Sequence, residues 1–214
     1  MADIFDEIEE DLKRDRMGDA WKKYGNYVYV AIALIIAVTA GYKYWDYHNK
    51  TRMVEQANQL DQALVTARSG EVDTALAALE QVSSESDAGY RLLAELRQAS
   101  LLLDENQTAK AVAIYERIAS DDKIDPIYRG LGTVLAVMHA DETSDTAVLM
   151  EKLAPQLEAG ATWRYTALEL AAGLALRAGD KDQAIGHIKT IVDAAEAPEG
   201  VRARATELLR ALEG

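Results

Sequence analysis

Apolar positions along the chain fall into two regimes. From Tyr27 to Tyr42 the sequence YVYVAIALIIAVTAGY runs sixteen residues without a charge, apolar at every helical phase. After Lys50 the apolar residues instead recur at three- and four-residue intervals, the spacing that lines one face of a helix. Ahead of the run, Ile4, Phe5, Ile8 and Leu12 follow the same spacing opposite an acidic face, which predicts a short amphipathic helix within a leader of residues 1–25.

The uncharged run predicts a single transmembrane helix over 26–47. A helix rises about 1.5 Å per residue, so Tyr27 to Tyr42 covers roughly 24 Å and extension to Trp45 roughly 28 Å, against a hydrocarbon core of about 30 Å. Lys43 can snorkel to the headgroups. Rings suited to a membrane interface stand at both ends: Trp21, Tyr24, Tyr27 and Tyr29 before, Tyr42, Tyr44, Trp45 and Tyr47 after. Lys13, Arg14, Arg16, Lys22 and Lys23 precede the run, while Lys43, Lys50 and Arg52 follow it. That excess puts the N-terminus in the cytoplasm and residues 48–214 across the membrane. Two other readings exist. A buried core helix would seldom carry rings at both ends, and a signal peptide cleaved after Val38-Thr39-Ala40 conflicts with the long acidic leader and with the rings beyond Ala40.

Past the run the chain repeats itself. Segments 71–82, 107–118, 143–154 and 180–191 each hold an alanine followed by an aliphatic residue: Ala75-Leu76, Ala111-Val112, Ala147-Val148 and Ala184-Ile185, at spacings of 36, 36 and 37. Leu79, Tyr115 and Ile188 stand four residues on, with Met150 substituting for Glu151 in the third segment. Val82, Ile118, Ala154 and Ile191 stand seven on. Five before each alanine come Gly70, Asn106, Glu142 and Gly179; Gly or Asn there ends a helix in the left-handed conformation, and Glu142 predicts a differently built third turn. The prediction is an all-α stack of four helix pairs, with first helices near 53–69, 88–104, 125–140 and 162–178. A last helix near 198–213 would cap it, turning Val201, Ala205, Leu208, Leu209 and Leu212 inward and leaving Arg202, Arg204, Glu207 and Arg210 to solvent. Pro126 and Pro198 are placed to open helices; Pro155 falls inside an apolar-periodic stretch, which it would end or kink. With their turn, alanine pair and large apolar residue, these units resemble tetratricopeptide repeats.

Composition sharpens this division. The 214 residues carry a net charge of −13, of which residues 51–214 hold −11, and nine of the fourteen aromatics precede residue 48. A pI near 4.7 argues against nucleic acid as a partner, because phosphate neutralisation needs clustered Lys and Arg. No cysteine is present, so neither disulfides nor thiolate metal sites are available. His48, His139 and His187 are scattered, Gly130-Leu131-Gly132 lacks the third glycine of a dinucleotide loop and reads as close helix packing, and residues 121–125 (DDKID) lack the glycine and closing Glu of a calcium loop and read as an inter-repeat turn. No catalytic motif, cofactor, metal or small-molecule substrate is expected.

The expected activity is protein binding. Three first helices open with aromatic and arginine residues: Tyr90-Arg91, Tyr128-Arg129 and Trp163-Arg164-Tyr165. Such residues anchor protein contacts. They could grip an apolar stretch and an acidic or C-terminal group; alternatively the rings pack between repeats and the arginines are solvated or paired with Glu95 or Glu169.

The order of parts carries a narrower resemblance. The leader DIFDEIEEDLKRDRMGDAWKKYG, the ring-rich edge GYKYWDYHNK and some 160 residues of degenerate repeats resemble the YfgM-like ancillary subunit of the bacterial SecYEG translocon, in its alphaproteobacterial form. The resemblance implies an inner-membrane protein with a periplasmic repeat domain, associated with the translocon and with a membrane-anchored peptidyl-prolyl isomerase-type chaperone. Other readings of the same architecture are a cell-envelope or division-associated adaptor, or a regulator acting through its leader.

Overall fold

The computed structural model describes the backbone of residues 3–214 and the side chains of residues 21–24, 26, 27 and 29–214. The expected amphipathic face of Ile4, Phe5, Ile8 and Leu12 lies outside those side chains. Among the described residues all regular structure is helical. The helices are α1 (Asp3–Arg68), α2 (Val72–Glu85), α3 (Ala88–Asp104), α4 (Thr108–Ser120), α5 (Pro126–Met138), α6 (Thr146–Leu157), α7 (Arg164–Arg177), α8 (Lys181–Asp193) and α9 (Glu199–Glu213). The chain forms two compact units, residues 1–55 and 56–214.

In the first unit the described side chains of the uncharged run are open to solvent. Ile35, Ile36 and Val38 are each more than 60% exposed. Thr39, the one hydroxyl among the aliphatics, donates to the carbonyl of Ile35 at 2.7 Å, which satisfies it within its own helix. Among the described residues no helix is long and apolar enough to cross a membrane. Over this run the described residues show an exposed apolar stretch of α1, and a membrane span is not shown.

The second unit is the predicted stack. Helices adjacent in sequence pack on one another from α2 to α9, and α5 also meets α7, and α7 meets α9. Four apolar clusters follow one another along it. Ala63 of α1 joins Ala75, Leu79 and Val82; Leu92 and Ala99 join Ala111, Tyr115 and Ile118; Val134 and Val137 join Leu149, Leu153 and Ala171; Leu168 and Ala172 join Ala184, Ile188, Ile191 and Ala205. Burying one such aliphatic side chain contributes about 1.5–3 kcal/mol.

The turns follow from their residues. Gly70, Asn106 and Gly179 all take positive φ (86°, 59° and 81°). After α3, Gln107 N–H donates to Leu102 and Asn106 N–H to Leu103; after α7, Asp180 donates to Ala175 and Gly179 to Leu176. These paired bonds satisfy carbonyls that the helix leaves open. The third turn is indeed built differently. Asp141 accepts from the Thr143 N–H and hydroxyl, and Asp145 caps α6 by accepting from Ala147 N–H at 2.8 Å. The 121–125 segment is a turn, with Lys123 N–H on Asp121 and Ile127 N–H on Asp125.

The third unit departs from its expected register. Ala75, Ala111 and Ala184 are fully buried, but Ala147 is exposed and its neighbour Val148 is 48% exposed. Leu149 and Leu153 take the buried positions instead. The longer Asp141–Asp145 turn moves the start of α6 on by two residues, so the repeat spacings are 36, 38 and 35, and Leu149 stands where the other units place alanine. The two glycines of α5 do serve close packing. A Cβ on Gly132 would lie 2.8 Å from the Tyr115 carbonyl oxygen, and one on Gly130 would lie 2.9 Å from the Trp163 ring.

Pro126 opens α5, Pro198 precedes α9, and α6 ends two residues after Pro155. In α9 the inward set is Val201, Ala205 and Leu209, while Leu208 is 36% exposed. Two of its arginines are more than solvated. Arg202 donates to the carbonyls of Ala194 and Ala195, and Arg204 makes a two-pronged pair with Glu169 of α7 at 3.1 and 2.9 Å.

Candidate protein-binding surface

The corrected register makes the aromatic–arginine pairs equivalent. Counted back from Ala111, Leu149 and Ala184, each ring (Tyr90, Tyr128, Trp163) lies 21 residues before and each arginine (Arg91, Arg129, Arg164) lies 20 before. With Ala147 as the reference, the middle pair had fallen out of step.

The arginines are tied into the stack. Arg129 reaches back seven residues to Asp122 at 3.1 Å, and Arg164 reaches back seven to the Leu157 carbonyl at 3.2 Å. Arg202 in α9 repeats the device seven back onto Ala195. A cation in the first turn of each helix thus meets the turn or carbonyl end of the helix before it, where negative potential collects. Arg91 differs by reaching forward to Asp121 at 2.9 Å. Glu95 and Glu169 are paired, but with Arg117 and Arg204 rather than with the three first-turn arginines. Glu95 is 5% exposed, and burial raises its carboxyl above the ordinary range in spite of Arg117 and Arg91.

The rings separate into three settings. Tyr90 and Tyr128 come together, with Leu92, Leu93 and Leu96, around an apolar groove of about 340 Å³ between α3 and α5. Leu93 and Tyr128 are about half exposed there, as is the neighbouring Ile127. Trp163 instead lies against α5, its indole N–H donating to the Ile127 carbonyl at 2.8 Å. Tyr165 packs on the last apolar cluster. Burial and the Glu196 carboxylate raise its hydroxyl pKa, while the Glu196 carboxyl is held low by its own backbone N–H and then by Tyr165. Sequence reasoning missed Leu93 and Leu96 as groove residues, because apolar residues on a first helix read as core.

The rings predicted for a membrane interface are exposed: Trp21, Tyr24, Tyr27, Tyr42, Tyr44, Trp45 and Tyr47 range from 54% to 74%. Local contacts hold some of them. Trp21 and Tyr29 meet edge to face at 6.0 Å, Lys23 lies over the Tyr24 ring at 5.5 Å, and Tyr44 stacks with His48 at 6.4 Å.

Among the described residues no group of three or more His, Cys, Asp or Glu is placed to hold a metal ion. No curated protein and no solved structure matches the chain. A family model for the tetratricopeptide repeat-like domain matches residues 19–184. A stack of this type is a protein-interaction scaffold, and with well over half its length matched, the chain belongs to the tetratricopeptide repeat-like domain family.

Proposed function

We propose that this chain is a membrane-anchored scaffold of the bacterial inner membrane, its repeat domain in the periplasm, assisting handover of secreted proteins at the SecYEG translocon beside a peptidyl-prolyl isomerase-type chaperone. The observation that carries the anchor is the exposed aliphatic surface between two sets of rings. Water disfavours a patch of this kind, whereas lipid with aromatic rings at its boundaries suits it. The matched family region begins at residue 19, ahead of this run. The choice of translocon rests on the resemblance of leader, ring-rich edge and repeats. The activity is binding, not turnover. Restriction to the membrane plane would raise the scaffold's effective concentration near partners in the same membrane.

Two measurements on intact cells test this. External protease applied to spheroplasts should degrade residues 48–214 and spare a tag at the N-terminus; protection of the whole chain overturns the topology. Because the chain lacks cysteine, a photocrosslinker on a single introduced cysteine in the Tyr90–Tyr128 groove reports neighbours directly. Translocon subunits should be recovered, and recovery of cytosolic proteins alone overturns the assignment.

A further inference from the structure

The third unit, where the register slips by two residues, is flanked by a second cleft whose lining residues are distinct from those of the aromatic groove. Where α2, α4 and α8 bury alanine, α6 buries the larger Leu149. Between α4 and α6 lies a cavity of about 450 Å³. Ala109 and Val112 form one wall, Val148 the other, and Ala136 and Ala140 of α5 line it as well. Glu116 of α4 pairs across it with Lys152 of α6, both about half exposed. The α5–α6 turn adds the carboxylates of Asp141 and Asp145 to the lining.

We propose that this cleft is a second docking surface, taking a partner segment that presents an aliphatic side chain beside a lysine or arginine. Charge and shape carry the choice. Glu116 and Lys152 cancel. Asp141 and Asp145 leave two negative charges, and one cation opposes them: Arg177 of α7, which donates to the Ser144 carbonyl and whose field reaches Asp141. The lining therefore carries a net charge of −2, reduced to −1 by Arg177 beyond it, within a domain of −11, which steers basic segments toward it. Turn hydrogen bonds orient both carboxylates before any partner arrives, so little ordering is lost on binding. Val148 offers the apolar contact, 48% exposed one residue from the core. An exposed ion pair such as Glu116–Lys152 is cheap to open, since such pairs contribute about 0–1 kcal/mol. This surface stands whether or not the repeat domain is periplasmic.

The test uses the full chain in detergent and two fluorescein-labelled peptides, one of leucine and lysine, the other with every lysine replaced by glutamate. The lysine peptide should bind and the glutamate peptide should not. The double variant Asp141→Asn/Asp145→Asn keeps the turn and cap hydrogen bonds, because asparagine caps as well as aspartate. It should weaken binding at least fivefold with its helical circular dichroism unchanged, and Val148→Ser should weaken it to a similar degree. Glu71→Gln/Asp73→Asn removes the same charge from α2 and its turn, and should alter binding less than twofold. Equal weakening by the α2 variant reduces the effect to overall charge and overturns the proposal, as does undiminished binding by the Asp141/Asp145 variant. As a second readout, Val148→Cys carrying a photocrosslinker should capture the lysine peptide; capture only from a label at Tyr128→Cys overturns the site.

Discussion

Replacing Gly132 with alanine should destabilise the repeat domain, although glycine is a poor helix former. Gly132 sits in α5, where the added Cβ would lie 2.8 Å from the Tyr115 carbonyl oxygen, 2.9 Å from the Ala119 nitrogen and 3.0 Å from Ile118 Cγ2. Comfortable contact for carbon begins near ~3.5 Å. Two of the three atoms are backbone of α4, so no side chain can rotate away. The helices must separate by about half an ångström, which loosens the cluster around Ala111, Tyr115 and Ile118. Overpacking of this kind costs about 1–3 kcal/mol, while alanine returns about 1 kcal/mol of helix propensity. The net expectation is a loss of up to about 2 kcal/mol. Gly173 and Gly186 supply the internal control, because both lie within helices and a Cβ on either meets nothing within 4 Å. There alanine should stabilise by about 0.5–1 kcal/mol. Thermal unfolding of the full chain, followed by circular dichroism at helical wavelengths, distinguishes the cases; 1 kcal/mol corresponds to about 2–4 °C for a domain of this size. Gly132→Ala melting at or above the parent temperature would refute the close-packing argument.

Other substitutions probe the remaining elements. Gly179 has φ of +81°, so Gly179→Ala should cost about 1–2 kcal/mol in the same melts despite open space around it; an unchanged midpoint would show that the turn relaxes freely. Leu149→Ala should cost about 2–5 kcal/mol, whereas Ala147→Ser should stay within about 0.5 kcal/mol, and the reverse ranking would restore the register with Ala147 in the core. Glu95 binds its proton more tightly folded than unfolded, so its contribution to stability is present at acid pH and is lost as pH rises from the ordinary carboxyl value through the raised one. Glu95→Gln should therefore gain on the parent across that window and then level off, and denaturation series at several pH values giving a constant difference would count against the buried-carboxyl reading.

The stack was legible because its alanines, turn glycines and aliphatic residues recur at a spacing that helical geometry makes periodic. Predicted first helices at 88–104 and 162–178 meet α3 and α7 within two residues. The third unit was misread because Ala147-Val148 satisfies the local pattern as well as Leu149 does. Only the length of the Asp141–Asp145 turn decides between them, and that length is set by side-chain bonds to backbone N–H groups. Glu142, in place of Gly or Asn, was the available sign. The partners of the arginines were not legible. Reaching back seven residues crosses a turn, and helical periodicity says nothing about which carbonyl or carboxylate waits on the other side. The groove between α3 and α5 was half legible: rings mark binding positions, but the exposure of Leu93 depends on how far apart the two helices stand.

The four apolar clusters each draw on helices that are consecutive in the chain, from α1 with α2 and α3 to α7 with α8 and α9. No cluster waits for a distant segment. Contact order is accordingly low, and such topologies fold quickly. As the polypeptide emerges from a ribosome or a membrane channel, the first cluster can close once residues through Leu101 are free, and each later one after roughly another helix pair. A partly delivered chain would then expose little unpaired apolar surface beyond its last finished pair, and α9 would arrive to cover that final edge.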